Sequence, residues 1–121
     1  MHAHATAANI LYLGATSCRN ADLNAAVNSV VDNGLAQVVT NSYGSAGEPA
    51  SVADVASEHD TFLQAAAQGI SMLFSSGDSG DETVATGKRH VDYEASDPYV
   101  TTVGGTALAV GPNNSYQFEQ G

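Results

Sequence analysis

The fold is decided by the stretch Ile70-Ser71-Met72-Leu73-Phe74-Ser75-Ser76-Gly77-Asp78-Ser79-Gly80. Its first part, 70–76, is a largely apolar run between two glycines, a pattern typical of a buried strand. The strand is followed by an acidic turn, where the glycines on both sides of Asp78 let a ligand approach the backbone closely. The stretch therefore predicts a buried strand with a short polar loop at its carboxyl end.

Helical patterns alternate with apolar runs on both sides of this stretch. Helices are expected over 21–33, with Asn20 as N-cap, and over 51–68, where Ser51 and Asp54 form a variant capping box. The stripe that the second helix turns toward the sheet is expected to consist of Val52, Val55, Phe62 and Ala66.

Further strands are expected over 9–15, 36–43 and 99–103, and a hairpin over 107–119 that is split by Gly-Pro-Asn-Asn. Alternation of strands and helices indicates βαβ units, and right-handed crossovers put helices on both faces. The predicted class is α/β, a doubly wound parallel sheet in three α/β/α layers.

Composition limits the possible functions. The 121 residues are 43% hydrophobic and 13% charged, which is normal for one globular domain. A formal net charge of −10 argues against nucleic acid as a partner, and no apolar run approaches the length of a membrane helix. The acidic surface is compatible with a protein that acts at acid pH. An acidic surface that serves only solubility explains the charge equally well. The lone Cys18 excludes an internal disulfide and is expected to be a buried or idle thiol.

Ligands of open α/β sheets gather at the carboxyl ends of the strands, so the residues there are the first candidates for a site. The strand predicted over 36–43 ends at Ser42, Tyr43 and Gly44. The strand predicted over 70–76 ends at the loop with Asp78. A plain loop explains the first equally well, and a turn aspartate that caps its own backbone explains the second. A metal site of Asp78, Asp81 and Glu82 is a weaker hypothesis, because the spacing of a calcium loop is not met.

Three blocks of the chain, 1–15, 62–80 and 95–106, resemble sedolisins, the serine-carboxyl peptidases built on a subtilisin-like fold. The third block reads Ala-Ser-Asp-Pro-Tyr-Val-Thr-Thr-Val-Gly-Gly-Thr. The resemblance implies that 1–121 is a single partial domain from the centre of a catalytic domain. The acid pair Glu-x-x-x-Asp of the family would precede Met1, and the nucleophilic serine of its Gly-Thr-Ser turn would follow Gly121.

The resemblance also implies the roles of the strand ends. Asp78 occupies the place of the residue that donates to the oxyanion of the tetrahedral intermediate. Only a protonated carboxyl group can donate, so this role requires acid surroundings or burial among other carboxylates. Six residues would form the two strand edges that flank the substrate backbone and the pocket for the residue before the scissile bond. They are Ser42, Tyr43, Gly44, Ser75, Ser76 and Gly77.

The implied function is that of an acid-acting, serine-type peptidase that hydrolyses peptides or proteins, either as an endopeptidase or as a tripeptidyl peptidase. The chain alone should be catalytically silent and needs the remainder of the catalytic domain. No cofactor is expected in this chain, since the calcium site of the family would lie beyond Gly121. The parent protein would be secreted or extracellular.

Glu94 departs from the family pattern, in which a proline is commoner. Two other classes of function are left as alternatives. One is a non-catalytic domain that binds extended peptides. The other, a nucleotide-binding enzyme, is disfavoured because neither Gly-x-Gly-x-x-Gly nor a phosphate-loop motif is present.

Overall fold

The computed structural model describes residues 3–44 and 51–121, and the predicted strand at 70–76 lies at the centre of its sheet. The helices are α1 (Asn20–Asp32), α2 (Val52–Ala67), α3 (Thr83–Thr86) and α4 (Tyr93–Ser96). The strands are β1 (Val38–Asn41), β2 (Ser71–Ser75), β3 (Val100–Val103), β4 (Ala107–Val110) and β5 (Tyr116–Gln120).

Three parallel strands form the main sheet in the order β1-β2-β3. Val39 pairs with Met72, which pairs with Val100, so these three side chains lie on one face. Phe74 lies on that face too, and Met72 and Phe74 are both buried. The opposite face is open in the described residues, with Val38 and Val103 exposed.

The hydrophobic core lies between this face of the sheet and the two long helices. It comprises Val27, Val31, Phe62, Ala65, Ile70, Met72 and Phe74. The rings of Phe62 and Phe74 meet edge to face at 5.4 Å, an arrangement favoured by aromatic pairs. The predicted α/β class and parallel sheet are therefore confirmed, and the described part of the chain supplies α1 and α2 to one face of the sheet.

The ends of the helices follow the predicted signals with one exception. The hydroxyl of Ser51 accepts from the backbone N–H groups of Ala53 and Asp54, as expected for an N-cap. Gly34, just beyond α1, has φ +57°, a conformation that favours glycine at a helix end. The N-cap of α1, however, is Arg19 rather than Asn20, because the helix already begins at Asn20.

The stripe predicted for α2 is partly wrong. Val52 is 87% exposed and Ala66 is exposed as well, whereas Phe62 is buried as expected. The buried side chains of α2 are Glu58, Thr61, Phe62 and Ala65. Polar groups occupy this stripe because α1 offers them partners: Asn24 donates to Glu58, and the Thr61 hydroxyl donates to the Asn28 side-chain oxygen.

The strand predicted over 9–15 is wrong. No described strand pairs with this segment, and without a partner its backbone forms no ladder. Its apolar side chains remain in solvent, with Tyr12 89% exposed. Cys18 is exposed too, so it is not a buried thiol.

The predicted hairpin is confirmed. Strands β4 and β5 are antiparallel, and Pro112–Asn114 forms a turn of 3-10 helix between them. In the described part of the chain, no helix is both long and apolar enough to cross a membrane.

Candidate functional site

The carboxyl ends of β1 and β2 lie side by side, because the two strands are parallel neighbours. The amide of Asn41, the last residue of β1, donates to the Leu73 carbonyl oxygen of β2 at 3.3 Å. Beyond β2, the Ser76 N–H donates to the Val103 carbonyl oxygen at 3.0 Å, which ties the start of the loop to β3. The segments 42–44 and 75–77 therefore emerge together from the same edge of the sheet, as the sequence predicts.

Tyr43 packs against this edge. Its half-buried ring contacts Phe74 edge to face, with ring centroids 5.4 Å apart. Burial raises the pKa of the Tyr43 hydroxyl, and the negative charges of Glu94 and Glu58 raise it further. The phenol is therefore a neutral hydrogen-bonding group in the working pH range of any enzyme.

A buried carboxylate, Asp92, joins the two strand ends. A Cβ atom at Gly44 would lie 2.7 Å from Oδ2 of Asp92, and one at Gly77 would lie 3.1 Å from the same oxygen. Such distances exclude a side chain at Gly44 unless Asp92 moves. Gly77 has φ +93°, which also favours glycine. No local sequence signal points to Asp92, because both glycines that it contacts are distant from it in the chain.

Asp78 follows Gly77 in the loop, and its side chain is exposed. The described residues leave this side chain in solvent. The capping role considered for Asp78 belongs to Asp81, which accepts from the Thr83 N–H at 3.2 Å. Asp81 also pairs with Arg89 at 3.2 Å.

A metal site formed by these acids gains no support. Among residues 3–44 and 51–121, no group of three or more His, Cys, Asp and Glu side chains is arranged to hold an ion. Asp78 and Asp81 are exposed, whereas Glu82 is buried. The three carboxylates therefore lie in different environments.

Hydrogen bonds fasten the segment that carries Asp92 to α2. The Tyr93 hydroxyl donates to the Val55 carbonyl oxygen at 2.8 Å. Asp97, which is buried, lies 2.8 Å from His59 Nδ1 and accepts from the Tyr99 N–H at 2.9 Å. His59 is thus a half-exposed partner of a buried carboxylate. Burial, assisted by the charge of Asp97, raises the pKa of Tyr93 to about 12.

Two further carboxyl groups are buried behind Tyr43. Glu58 of α2 and Glu94 of α4 are 4% and 9% exposed. Within the described residues, Oε2 of each has no hydrogen-bond partner, although Oε1 of Glu58 accepts from Asn24 Nδ2 at 2.7 Å. Burial is the main cause that raises the pKa of both groups. Proximity to Asp54 adds to this for Glu58, and proximity to Glu58 and Asp92 adds to it for Glu94.

Known proteins resemble this chain in sequence. Over 80 residues it is 42% identical to tripeptidyl-peptidase 1 of Canis lupus familiaris and 40% identical to that of Homo sapiens. Each match covers 64% of this chain and 14% of the relative, so the chain spans about a seventh of these proteins. No protein-family model matches the chain.

The fold matches a solved structure as well. Pseudomonas sedolisin, a serine-carboxyl proteinase complexed with two molecules of pseudo-iodotyrostatin, superimposes with a TM-score of 0.71 and 30% sequence identity. The match covers 86% of this chain and 30% of the sedolisin chain. The resemblance stated from the three sequence blocks is therefore confirmed. Sequence and fold together show that this chain is a relative of sedolisin and tripeptidyl-peptidase 1, with the subtilisin-like fold of that family over part of the domain.

Proposed function

We propose that this chain forms the substrate-binding and oxyanion-binding part of an acid-acting serine-carboxyl peptidase. The proposal is supported by the family relationship and, above all, by one observation: two parallel strands end side by side in the segments 42–44 and 75–77. An extended peptide that lies along these segments can pair with their backbone, which gives affinity with little dependence on sequence. The remainder of the catalytic domain would supply the nucleophilic serine and the Glu/Asp pair.

Asp78 is the proposed oxyanion donor. Its place directly after Gly77 and the exposure of its side chain leave it accessible to a carbonyl oxygen of a bound peptide. The donor must be protonated, because an ionised carboxylate repels the developing alkoxide. Since the described residues leave Asp78 in solvent, acid conditions or carboxylates of the remaining domain would have to keep it neutral. This requirement links the proposed role to activity in acid.

Tyr43 is proposed to line the pocket for the residue before the scissile bond. Its ring is already held by Phe74, so it offers a fixed apolar surface with a neutral hydroxyl. The resemblance also implies a secreted parent protein, which we include in the proposal.

Peptide hydrolysis by the protein encoded by the complete reading frame tests this function. Flanking sequence should contain a Glu-x-x-x-Asp pair before this segment and a Gly-Thr-Ser turn after it, and the purified protein should cleave peptides at about pH 4. Peptide binding without cleavage, in a protein that lacks both motifs, would instead favour the alternative of a non-catalytic peptide-binding domain.

A further inference from the structure

Two of the three Lys and Arg residues of this chain stand next to each other, as Lys88-Arg89. They lie between α3 and α4, where 87–92 belongs to no helix or strand. Every residue over 83–91 is exposed, and the Arg89 side chain keeps 88% of its surface in solvent. A pair of adjacent cations is thus displayed on an exposed loop of a chain whose net charge is −10.

Few contacts hold this loop in place. In the described part of the chain, the hydrogen bonds and the ion pair of 88–90 reach only Thr86 and Asp81. Arg89 Nε lies 3.2 Å from Asp81 Oδ2, and the His90 N–H donates to the Asp81 carbonyl oxygen at 3.1 Å. Both partners of the ion pair are exposed, so the pair contributes little to stability. The loop can therefore open locally without disturbing the hydrophobic core.

Buried residues anchor the chain on both sides of the loop. Glu82 and Asp92 are 5% and 7% exposed, so the chain is fixed just before and just after 83–91. Exposed loops between such anchors are the places where endopeptidases most readily cut a folded protein. Lys88 and Arg89 are both charged at neutral pH, so they match an endopeptidase whose binding cleft carries carboxylates.

The parts of the chain on either side of this loop are joined by contacts that a cut would leave intact. All of β3 pairs with β2, which lies before the loop. The Tyr93 hydroxyl donates to the Val55 carbonyl oxygen, and Asp97 lies 2.8 Å from His59 Nδ1. Strand pairing and side-chain contacts together would therefore hold the two pieces in one fold.

We propose that the peptide bond between Arg89 and His90 is a site of proteolytic processing by an endopeptidase that recognises paired basic residues. Water adds across this bond: the C–N bond breaks, Arg89 gains a carboxylate, and His90 gains an α-amino group. The product is a two-chain form, 1–89 and 90–121, that keeps the fold. Another endopeptidase performs the cut, so the cut does not depend on the peptidase activity proposed above.

Kexin, an endopeptidase that cuts after Lys-Arg pairs, provides the test at about pH 7 on the complete 121-residue chain. The free peptide 84–95 gives the rate at which the same bond is cut without a fold. The folded chain should be cut at a rate within about tenfold of the peptide's, because only the loop has to open. Mass spectrometry should find the fragments 1–89 and 90–121. Cleavage more than about tenfold slower than that of the peptide, or cleavage at another bond, would overturn the proposal.

Size-exclusion chromatography of the cut chain tests whether the fold is kept. In buffer the two fragments should elute together at the volume of the uncut chain, and in urea they should separate. Fragments that separate in buffer would overturn the two-chain form.

Two variants identify the residues that the endopeptidase recognises. Lys88→Ala leaves Arg89 in place but breaks the pair, so kexin should cut this variant at least about tenfold more slowly. Arg19→Ala is the matched control, because it removes the other exposed basic residue and should leave the rate unchanged. An unchanged rate for Lys88→Ala would overturn recognition of the pair. Circular dichroism of both variants checks that the fold is retained, and cleavage of the unchanged chain needs no variant.

Discussion

Replacing Glu94 by Gln should make the stability of this chain less dependent on pH. Glu94 is buried, Oε2 has no hydrogen-bond partner in the described residues, and its pKa is raised mainly by burial and then by Glu58 and Asp92. Glutamine has nearly the same shape and carries no charge at any pH. The substitution therefore removes the cost of ionising this side chain in the folded state.

The sign and size of the effect follow from proton linkage. In the unfolded chain Glu94 has a pKa near the usual value of 4.5, whereas the folded pKa is higher. Between the two values the folded chain holds the extra proton, so its stability falls as the pH rises through the folded pKa. One such proton changes the free energy of unfolding by up to about 1.4 kcal/mol per pH unit. Glu58, whose pKa is shifted in the same direction, retains its own share in the variant.

Urea unfolding of the 121-residue chain at several pH values between about 4 and 7 measures this effect. A change of 1 kcal/mol corresponds to roughly 0.5 to 1 M in the midpoint. Below about pH 4.5 both chains carry a neutral group at position 94 and should agree to within about 1 kcal/mol. At neutral pH the Glu94→Gln variant should be the more stable one. Asp60→Asn is the control for net charge. If the pH dependence of the Glu94→Gln variant equals that of the unchanged chain, ionisation of Glu94 does not destabilise the fold.

Three further predictions concern packing, capping and reactivity. Phe74→Ala should lower the free energy of unfolding by about 3 to 5 kcal/mol, because Phe74 is 2% exposed and packs against Phe62; Phe74→Leu should cost clearly less in the same urea assay. Ser51→Ala should lower the free energy of unfolding by about 1 kcal/mol, because α2 loses its N-cap. Ser57→Ala, at an exposed position within the same helix, should not lower it measurably. The exposed thiol of Cys18 should react with a thiol reagent in the folded chain as completely as in urea, and slow, unfolding-limited labelling would contradict its exposure.

Local signals predicted most of the fold correctly. The apolar run at 70–76 becomes β2, because it is bounded by glycines and its alternate residues Met72 and Phe74 meet a helix. The N-cap signal at Ser51 and the helix-end signal at Gly34 are local as well, and the structure confirms both. The segment 9–15 looks equally strand-like in sequence, but a strand needs a neighbour, and no described strand pairs with it.

The candidate site was predictable only in part. The segments 42–44 and 75–77 follow from the rule that ligands gather at the carboxyl ends of parallel strands. The buried acids around them could not be predicted, because Asp92, Glu82 and Glu94 look like residues of a solvated loop in the sequence. Their burial depends on contacts between residues distant in the chain, such as those of Asp92 with Gly44 and Gly77, which only the folded chain brings together. Glu94 occupies a position where the family commonly has a proline, so the resemblance did not predict a buried acid there either.

These acids give the strand-end region a common physical character. Glu58, Glu82, Asp92 and Glu94 are all at most 9% exposed. For Glu58 and Glu94, burial disfavours the charged form and raises the pKa, and neighbouring carboxylates raise it further. These two groups make the folded chain more stable in acid than at neutral pH, which agrees with the acid-acting peptidase proposed for the parent protein.

The effect of Asp78→Ala on turnover by the complete protein shows whether this side chain is the oxyanion donor. Loss of one oxyanion donor costs about 2.7 to 4 kcal/mol, so kcat should fall by roughly a hundredfold to a thousandfold. Asp78→Asn, whose amide can donate at any pH, should retain more activity, and Asp81→Ala in the same loop should keep kcat within about twofold. Turnover by Asp78→Ala equal to that of the unchanged protein would mean that Asp78 is not the oxyanion donor.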